Sequence, residues 1–323
     1  MKRLLTGAGF FIIAAVLAYS VSAPVYAPLR PPEQPVRVLF VGDIMLDRNV
    51  ARTISAEGPD TLFAGVRTLL ADADVRVGNL EGTITRNPSI AQQNNKVLRF
   101  TFDPTQAKAV LAPLHFDAFS LANNHTLDFG EFGYDETRER LAGSIGAQPF
   151  GQPFNDKSRI STTVQSRGKT LCFVGYMQLF APATSTVVDE IETIKPNCWR
   201  VIVFAHWGEE YQATSTVAQQ SAAHAFIDAG ADLVVGAHPH VVQNVEVYKD
   251  KAIFYSLGNF MFDQNFSWNT THGLAVRADF YEDKTHFILT PTVIAEQHAS
   301  VGTSSAPTTF SVGGPTEASG LLR

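Results

Sequence analysis

The sequence predicts an α/β fold in which a mostly parallel sheet is flanked by helices. Three observations predict it. Short apolar, β-branched runs alternate with segments of helical spacing. Several of those runs end at Asp, Asn or His, and the last third carries paired strand patterns with no helix between them. With 323 residues, 45% hydrophobic and 23 of them Phe, the chain has ample material for a large core. A net charge of -6 excludes a general binder of nucleic-acid backbone, and two cysteines exclude a disulfide-dense scaffold.

Lys2 and Arg3 precede an apolar run from Leu4 to Ala23, and the next charge is Arg30. Residues 1–23 therefore read as an export signal or as a hydrophobic helix anchoring the chain in the membrane, with the bulk outside the cytoplasm. Cleavage and anchoring both remain open. Pro24, Pro28, Pro31, Pro32 and Pro35 make residues 24–35 an extended linker. Val36–Gly42 is then a buried strand ending at Asp43. Leu62, Phe63, Val66, Leu69 and Leu70 give Pro59–Ala73 the spacing of a helix. Val75–Val77 is a short strand running into Gly78-Asn79-Leu80-Glu81. Asp103-Pro104 opens a helix, with Pro at its first position. Phe116–Ala122 is a strand ending at Asn123-Asn124-His125, and Gly133–Ile145 is a helix stopped by Gly146.

The second half repeats this logic. Lys169–Tyr176 reads as a buried strand, and its setting favours Cys172 as a packed thiol over a disulfide to Cys198. Arg200–Ala205 is a strand ending at His206. Ala218–Ala229 is a helix stopped by Gly230, and Asp232–Gly236 is a strand ending at His238. Val245–Tyr248 and Ala252–Ser256 form a hairpin about Lys249-Asp250-Lys251. Leu274–Tyr281 and His286–Ile294 form another about Glu282-Asp283-Lys284. Residues 36–298 thus make one domain. Residues 299–323, rich in Ser, Thr, Gly and Pro, read as a mobile tail.

Ligands of open α/β sheets bind at the carboxyl ends of strands. Asp43, Glu81, Asn124, His125, His206, His238 and His240 all stand at or just beyond such ends. Singly, each has an ordinary reading as a turn former, a cap or a packed imidazole. Together they form a ligand set. In Gly236-Ala237-His238-Pro239-His240 an extended backbone projects two imidazoles to one side, and His206 adds a third. Asp43, Glu81 and the Asn124 amide add oxygen donors. Mixed carboxylate and imidazole ligation suits Mn, Fe or Zn, and the number of donors suits two divalent ions. Neither GxGxxG nor GxxxxGK[ST] occurs, so no glycine-rich phosphate loop is present.

In order along the chain, Gly42-Asp43, Asn79-Leu80-Glu81, Asn124-His125, His206 and His238-x-His240 resemble the calcineurin-type metallophosphoesterase superfamily. The blocks Val41–Arg48, Gly78–Gly82, Leu121–His125, Ala205–Tyr211, Gly236–Gln243 and Phe254–Gln264 resemble its CapA branch, named for poly-γ-glutamate capsule biosynthesis. That resemblance implies a four-layer α/β/β/α sandwich with a dinuclear metal centre between strand ends. It implies metal ligation by Asp43, Glu81, Asn124, His206, His238 and His240, with Glu81 bridging. His125 is then the proton donor to the leaving group. Met45 stands where the superfamily has a histidine ligand, and Asn79 departs from its usual acidic block. Asp128 and Asp232 are expected to orient imidazoles. Trp207, Glu209, Glu210 and Tyr211 are expected along a cleft, where Trp207 and Tyr211 equally suit packing. Arg48 suits either an anion or a structural ion pair.

The function implied is an extracytoplasmic metal-dependent hydrolase in the synthesis, release or export of a capsular polymer such as poly-γ-glutamate. The other reading is a non-catalytic, membrane-tethered component of a polymer synthesis or export complex. The expected partners are an anionic envelope polymer or its precursor, the membrane through residues 1–23, and other capsule synthesis or export proteins, but no nucleic acid. The sequence reveals no cationic patch for a polyanion other than the metals themselves.

Overall fold

A computed structural model describes residues 34–94, 96–180, 183–302 and 307–314. The hydrophobic segment 1–23 and nearly all of the linker lie outside the described residues. In chain order the first half comprises β1 (Val36–Ile44), α1 (Arg48–Glu57), α2 (Arg67–Ala71), β2 (Val75–Leu80), β3 (Thr83–Ile84), β4 (Thr101–Phe102), α3 (Pro104–Leu111), β5 (Ala118–Ser120), α4 (Gly130–Arg140) and β6 (Gln148–Phe150). There follow β7 (Ser161–Ser166), β8 (Lys169–Met177), α5 (Thr184–Ile194), β9 (Arg200–His206), α6 (Val217–Asp228) and β10 (Leu233–Ala237). The chain continues through β11 (Val245–Tyr248), β12 (Lys251–Phe254), β13 (Asn259–Met261), α7 (Trp268–Thr271), β14 (His272–Phe280), β15 (Lys284–Ala295), β16 (His298–Val301) and β17 (Thr308–Gly313).

These strands make two large sheets. The first runs β16-β15-β14-β1-β2-β5-β6, with β13 on β1 and β17 on β15; the second runs β11-β12-β10-β9-β8-β7. Each has a parallel run, β1-β2-β5-β6 and β8-β9-β10-β12; antiparallel strands extend the first on one side and the second on both. Alternate residues of a strand face opposite ways, and the cores follow that period. Val38, Phe40 and Val77 meet Phe173, Ile202 and Phe204 in a core between the sheets. Leu39 and Val41 face outward onto Val50, Ile54, Val110 and Tyr134 of α1, α3 and α4. Cys172, Val174 and Val203 face Val187, Ile191 and Phe226 of α5 and α6. Helices, sheet, sheet, helices: this is the expected four-layer α/β/β/α sandwich. Strands buried on both faces explain why β1, β8 and β9 read as continuous apolar runs.

Three expectations are corrected. The helix read over Pro59–Ala73 is confined to Arg67–Ala71. Leu62, Phe63 and Val66 are buried from turns, because Leu62 O accepts from Ala299 N (2.7 Å) and Gly65 bridges to Ser300 instead of continuing a helix. The same pairing shows that the tail is not loose throughout. β16 and β17 both add to β15, and the Phe310 ring packs 5.0 Å from Phe287. Finally, Cys172 and Cys198 form a disulfide with Cα atoms 5.8 Å apart. Trp199 N donates to Thr170 O (2.8 Å) and Leu171 registers with Arg200, which brings Cys198, two residues before β9, beside Cys172 of β8. Among the described residues, no helix is long and apolar enough to cross a membrane.

Candidate metal centre

The carboxyl ends of both parallel runs meet at one place. β1 delivers Asp43 and β2 delivers Asn79, which register directly across the parallel pair. Gly42 permits this junction: a Cβ there would stand 1.8 Å from Gly258 O, and the close approach lets Asp43 N donate to that carbonyl (3.0 Å). From the other sheet, β9 ends at His206 and β10 ends at Ala237, paired with each other. The chain then turns sharply. His238 and His240 have φ of 93° and 58°, so the two imidazoles come from a left-handed loop and not from the extended backbone expected. Such conformations cost free energy and persist where surrounding contacts impose them. Here the contacts are Tyr211 N to Pro239 O (2.8 Å) and His238 N to Asp43 Oδ2 (3.3 Å).

Asn79 lies at the middle of the cluster. Its Nδ2 donates to Asp43 Oδ1 (2.7 Å) and lies 3.5 Å from Glu81 Oε2, while its Oδ1 accepts from Asn123 Nδ2 (3.0 Å). The amide thereby bridges two fully buried carboxylates that also face each other directly. Asn79 Nδ2 also lies 3.3 Å from His206 Nδ1, so that nitrogen accepts and Nε2 donates to Asn124 Oδ1 (2.8 Å). Asn259 gives its Nδ2 to Thr270 O (2.9 Å), which turns its Oδ1 to accept from His240 Nδ1 (3.0 Å). That leaves His240 Nε2 facing Glu81 Oε1 at 3.7 Å. His125 stands opposite, with Nδ1 held by Asp128 Oδ2 (2.8 Å), Nε2 3.8 Å from Glu81 Oε1, and its ring 4.3 Å from that of Phe100.

All seven sequence-predicted site residues, Asp43, Glu81, Asn124, His125, His206, His238 and His240, are thus brought together. Of these, Asp43, Glu81 and His206 form one group able to hold a metal, and His238 and His240 form another with Glu210; in each, the donor atoms lie within 4.8 Å of one another. Glu210 was expected only along the cleft, and Asn79 and Asn259 carried no expected positive role. Their contacts arise from register across strands far apart in the chain, which sequence spacing does not display. Asp128 meets its expectation. Asp232 does not: it stands just before β10, accepting from Lys195 (2.6 Å), Lys251 (3.0 Å) and Val201 N (2.9 Å), away from the imidazoles at that strand's other end. Met45 is buried in the helix-side core, and its sulfur accepts from Asp47 N (2.9 Å). Trp207 packs, donating to Tyr255 O (2.8 Å), while the half-exposed Tyr211 ring stacks 6.1 Å from His240.

The residues fit a cation. Glu81 Oε1 and His238 Nδ1 are buried without a hydrogen-bond partner, a costly arrangement unless something else satisfies them. Burial, reinforced by Asp43, pushes the Glu81 carboxyl well above its usual range. Burial and the neighbouring imidazoles push His206 well down and His238 to about 4, so both are neutral and ready to ligate at pH 7. His240 is raised to about 9 against the effect of burial, because Glu81 and Asp43 face it. A cation would replace that proton as the partner of both carboxylates.

Comparisons with known proteins agree with the motifs. Residues 37–264 match the family described as bacterial capsule synthesis protein PGA_cap. The PGA biosynthesis protein CapA of Bacillus subtilis is 32% identical over 255 residues, covering 73% of this chain and 65% of that protein. The capsule biosynthesis protein CapA of Bacillus anthracis is 31% identical over 274 residues, covering 77% and 65%. The match therefore spans just under two thirds of each of those relatives. Among solved structures, the purple acid phosphatase PPD1 of yellow lupin superposes with a TM-score of 0.41 at 9% identity, over 86% of this chain and 53% of that one. Vps29 of Chaetomium thermophilum gives 0.36 at 10% identity, over 88% and 100%. The family match over most of the folded body is decisive: the chain belongs to the bacterial capsule synthesis PGA_cap family.

Proposed function

We propose that the chain is a metal-dependent hydrolase acting outside the cytoplasm on an anionic envelope polymer, poly-γ-glutamate or its precursor, in capsule synthesis, release or export. The observation that carries this is the pair of buried, unpartnered atoms Glu81 Oε1 and His238 Nδ1 inside a cluster of carboxylates and imidazoles. The two Bacillus relatives, a PGA biosynthesis protein and a capsule biosynthesis protein, support the choice of polymer. Asp43, Glu81, Asn124, His206, His238 and His240 are the ligands in this reading, for two ions of Mn, Fe or Zn. When bound, such ions supply Lewis-acid charge and make water a nucleophile near neutral pH. The chain's own groups do the rest. Asn79 holds Asp43 in place, and Asn259 orients His240. Asp128 fixes the His125 ring so that the proton at Nε2 points into the centre, where it serves the leaving group.

The test is metal content by plasma mass spectrometry on the full chain, with turnover of a phosphodiester and of γ-glutamyl oligomers. Two ions per chain, reduced in His238→Ala, together with turnover lost in His125→Ala that keeps its metal, is the expected result. A metal-loaded chain that cleaves neither substrate refutes the hydrolase reading. A second reading, a non-catalytic component of a polymer assembly tethered through residues 1–23, is favoured by Met45, whose buried thioether occupies the position of a superfamily ligand. Capsule formation sustained by His125→Ala would select it.

A further inference from the structure

The loop that follows β9 delivers one acid to the metal centre from a position that the set of six ligands leaves out. His206 ends the strand, and Trp207 is pinned behind it by Nε1 to Tyr255 O (2.8 Å) and by N to Ala237 O (3.3 Å). Gly208 turns the chain at φ 81°, with its N donating to Gln178 Oε1 (3.0 Å), and Tyr211 turns it again at φ 64°. A Cβ on Gly208 would stand 2.6 Å from the buried Gln219 side chain, so the first turn calls for glycine. The second turn is tied down by Tyr211 N, which donates to Pro239 O (2.8 Å), the carbonyl between His238 and His240. Glu210, one residue earlier, is thereby set beside both imidazoles.

The result is a donor group of a different kind from that of Asp43, Glu81 and His206. One donor atom each from Glu210, His238 and His240 lies within 4.8 Å of the others, and the carboxylate among them is exposed, whereas the first group is buried throughout. A second observation points the new group at a cation. His238 is 5% exposed and its Nδ1 has no hydrogen-bond partner, so a buried polar atom there is left for something other than the protein to satisfy. The position two residues beyond Asp43 offers no donor to either group, because the Met45 sulfur is spent on Asp47 N (2.9 Å) in the helix-side core. The charge of Glu210 is also among those that act on His240 and Glu81, which places it at the centre and not on the outer surface alone. Two imidazoles and one carboxylate are a donor set that holds Zn or Fe with positions left open for water.

We propose that Glu210 is a seventh metal ligand, which holds the second ion together with His238 and His240, and that its exposed carboxylate makes this the weaker ion, the one that exchanges with solvent. Asp43, Glu81 and His206 keep the tighter ion, since no donor of that group is open to water. The inference rests on the metal-binding half of the proposed function and deepens it by naming the residue that governs the second ion.

The experiment is a zinc titration of the full chain against a chromophoric chelator, with bound zinc counted by plasma mass spectrometry. The parent is expected to take up two ions of unequal affinity. Glu210→Gln keeps the size of the side chain and removes its charge. It is expected to weaken the second ion by at least about ten-fold, the lower end of what even an outer partner of a metal costs, and to leave the first unchanged. Glu209→Gln removes the same charge one residue away and is expected to leave both ions in place. Unfolding midpoints measured in chelator keep a folding defect distinct. Unchanged affinities in Glu210→Gln overturn the proposal, as does loss of both ions or of the tighter one alone. An equal loss in Glu209→Gln overturns it too, since local charge would then explain binding, and so does a parent that takes up no second ion. Turnover is read separately. A second ion governed by Glu210 in a chain that cleaves nothing supports the ligand and counts only against the hydrolase reading. Turnover in a parent whose two ions are untouched by Glu210→Gln does the reverse.

Discussion

Asp128→Asn separates a positioning carboxylate from the ligands around it. In the parent, Asp128 Oδ2 lies 2.8 Å from His125 Nδ1 and accepts from Phe100 N at 2.6 Å. No hydrogen bond or ion pair joins it to Asp43, Glu81, Asn124, His206, His238 or His240. The amide keeps the shape and one acceptor but removes the negative charge that faces an imidazolium carrying protons at both nitrogens. Loss of such an outer partner typically costs 10–100-fold, or about 1.4–2.7 kcal/mol of barrier, whereas losing the acid itself costs about 10²–10⁴-fold. Turnover should therefore fall 10–100-fold in Asp128→Asn, with metal content unchanged. In a His125→Ala background the same change should add almost nothing, because the group it orients is already gone. Kinetics on the two single variants and the double variant, with metal analysis of each, make the test. If Asp128→Asn lowers the rate of His125→Ala by a further ten-fold, or strips metal, Asp128 acts on the centre by another route and the assignment fails.

Three further outcomes are expected. Replacing both cysteines by Ala, which opens a crosslink of sequence separation 26, should lower stability to denaturant by about 3 kcal/mol, and a change below 1 kcal/mol would count against the bond. Burial raises the Asp74 carboxyl, but Arg167 and Arg37 outweigh it and hold it at about 2. Its stabilisation is thus full above about pH 4 and lost as pH falls through 2. At pH 7, Asp74→Asn should cost about 1 kcal/mol, the shift being discounted for its half-exposed arginines, and the deficit should shrink to about a third near pH 2.5 and vanish near pH 1 in urea melts. Gly42→Ala drives a methyl to 1.8 Å from Gly258 O, so the protein should lose at least 2 kcal/mol and its metal, measured by unfolding and mass spectrometry.

What could be read from the sequence followed from local chemistry. β1, β8, β9 and β10 announce themselves as apolar runs because both their faces are buried, and the site residues stand where such strands stop. What escaped was long-range. The Pro59–Ala73 segment has helical spacing, but its Leu62 carbonyl is claimed by Ala299, some two hundred positions away. Cys172 looks like a core residue and is one, at 1% exposure; only the β8-β9 register reveals Cys198 beside it. His238 and His240 were read correctly as a pair and wrongly as extended, since period-two spacing says nothing about φ.

Asn79 poses the sharpest question the centre raises. A carboxylate there would give three buried acids within contact of one another; the amide instead donates to Asp43 and lies close to Glu81. In the metal-free protein Asn79 is therefore the neutral partner that makes the pair of acids tolerable, a role a cation would share once bound. Asn79→Ala removes the donor and leaves His240 alone to compensate the two buried carboxylates, a defect of about 2 kcal/mol without metal. A bound cation compensates the same charges, so metal should raise the unfolding midpoint of Asn79→Ala by more than it raises the parent's, by linkage. Thermal melts in chelator and in excess Mn or Zn measure both increments. Equal increments would show that the amide's contribution is independent of the metal's. A smaller increment in the variant would mean that Asn79 is itself a ligand, and the set of six would have to be redrawn around it.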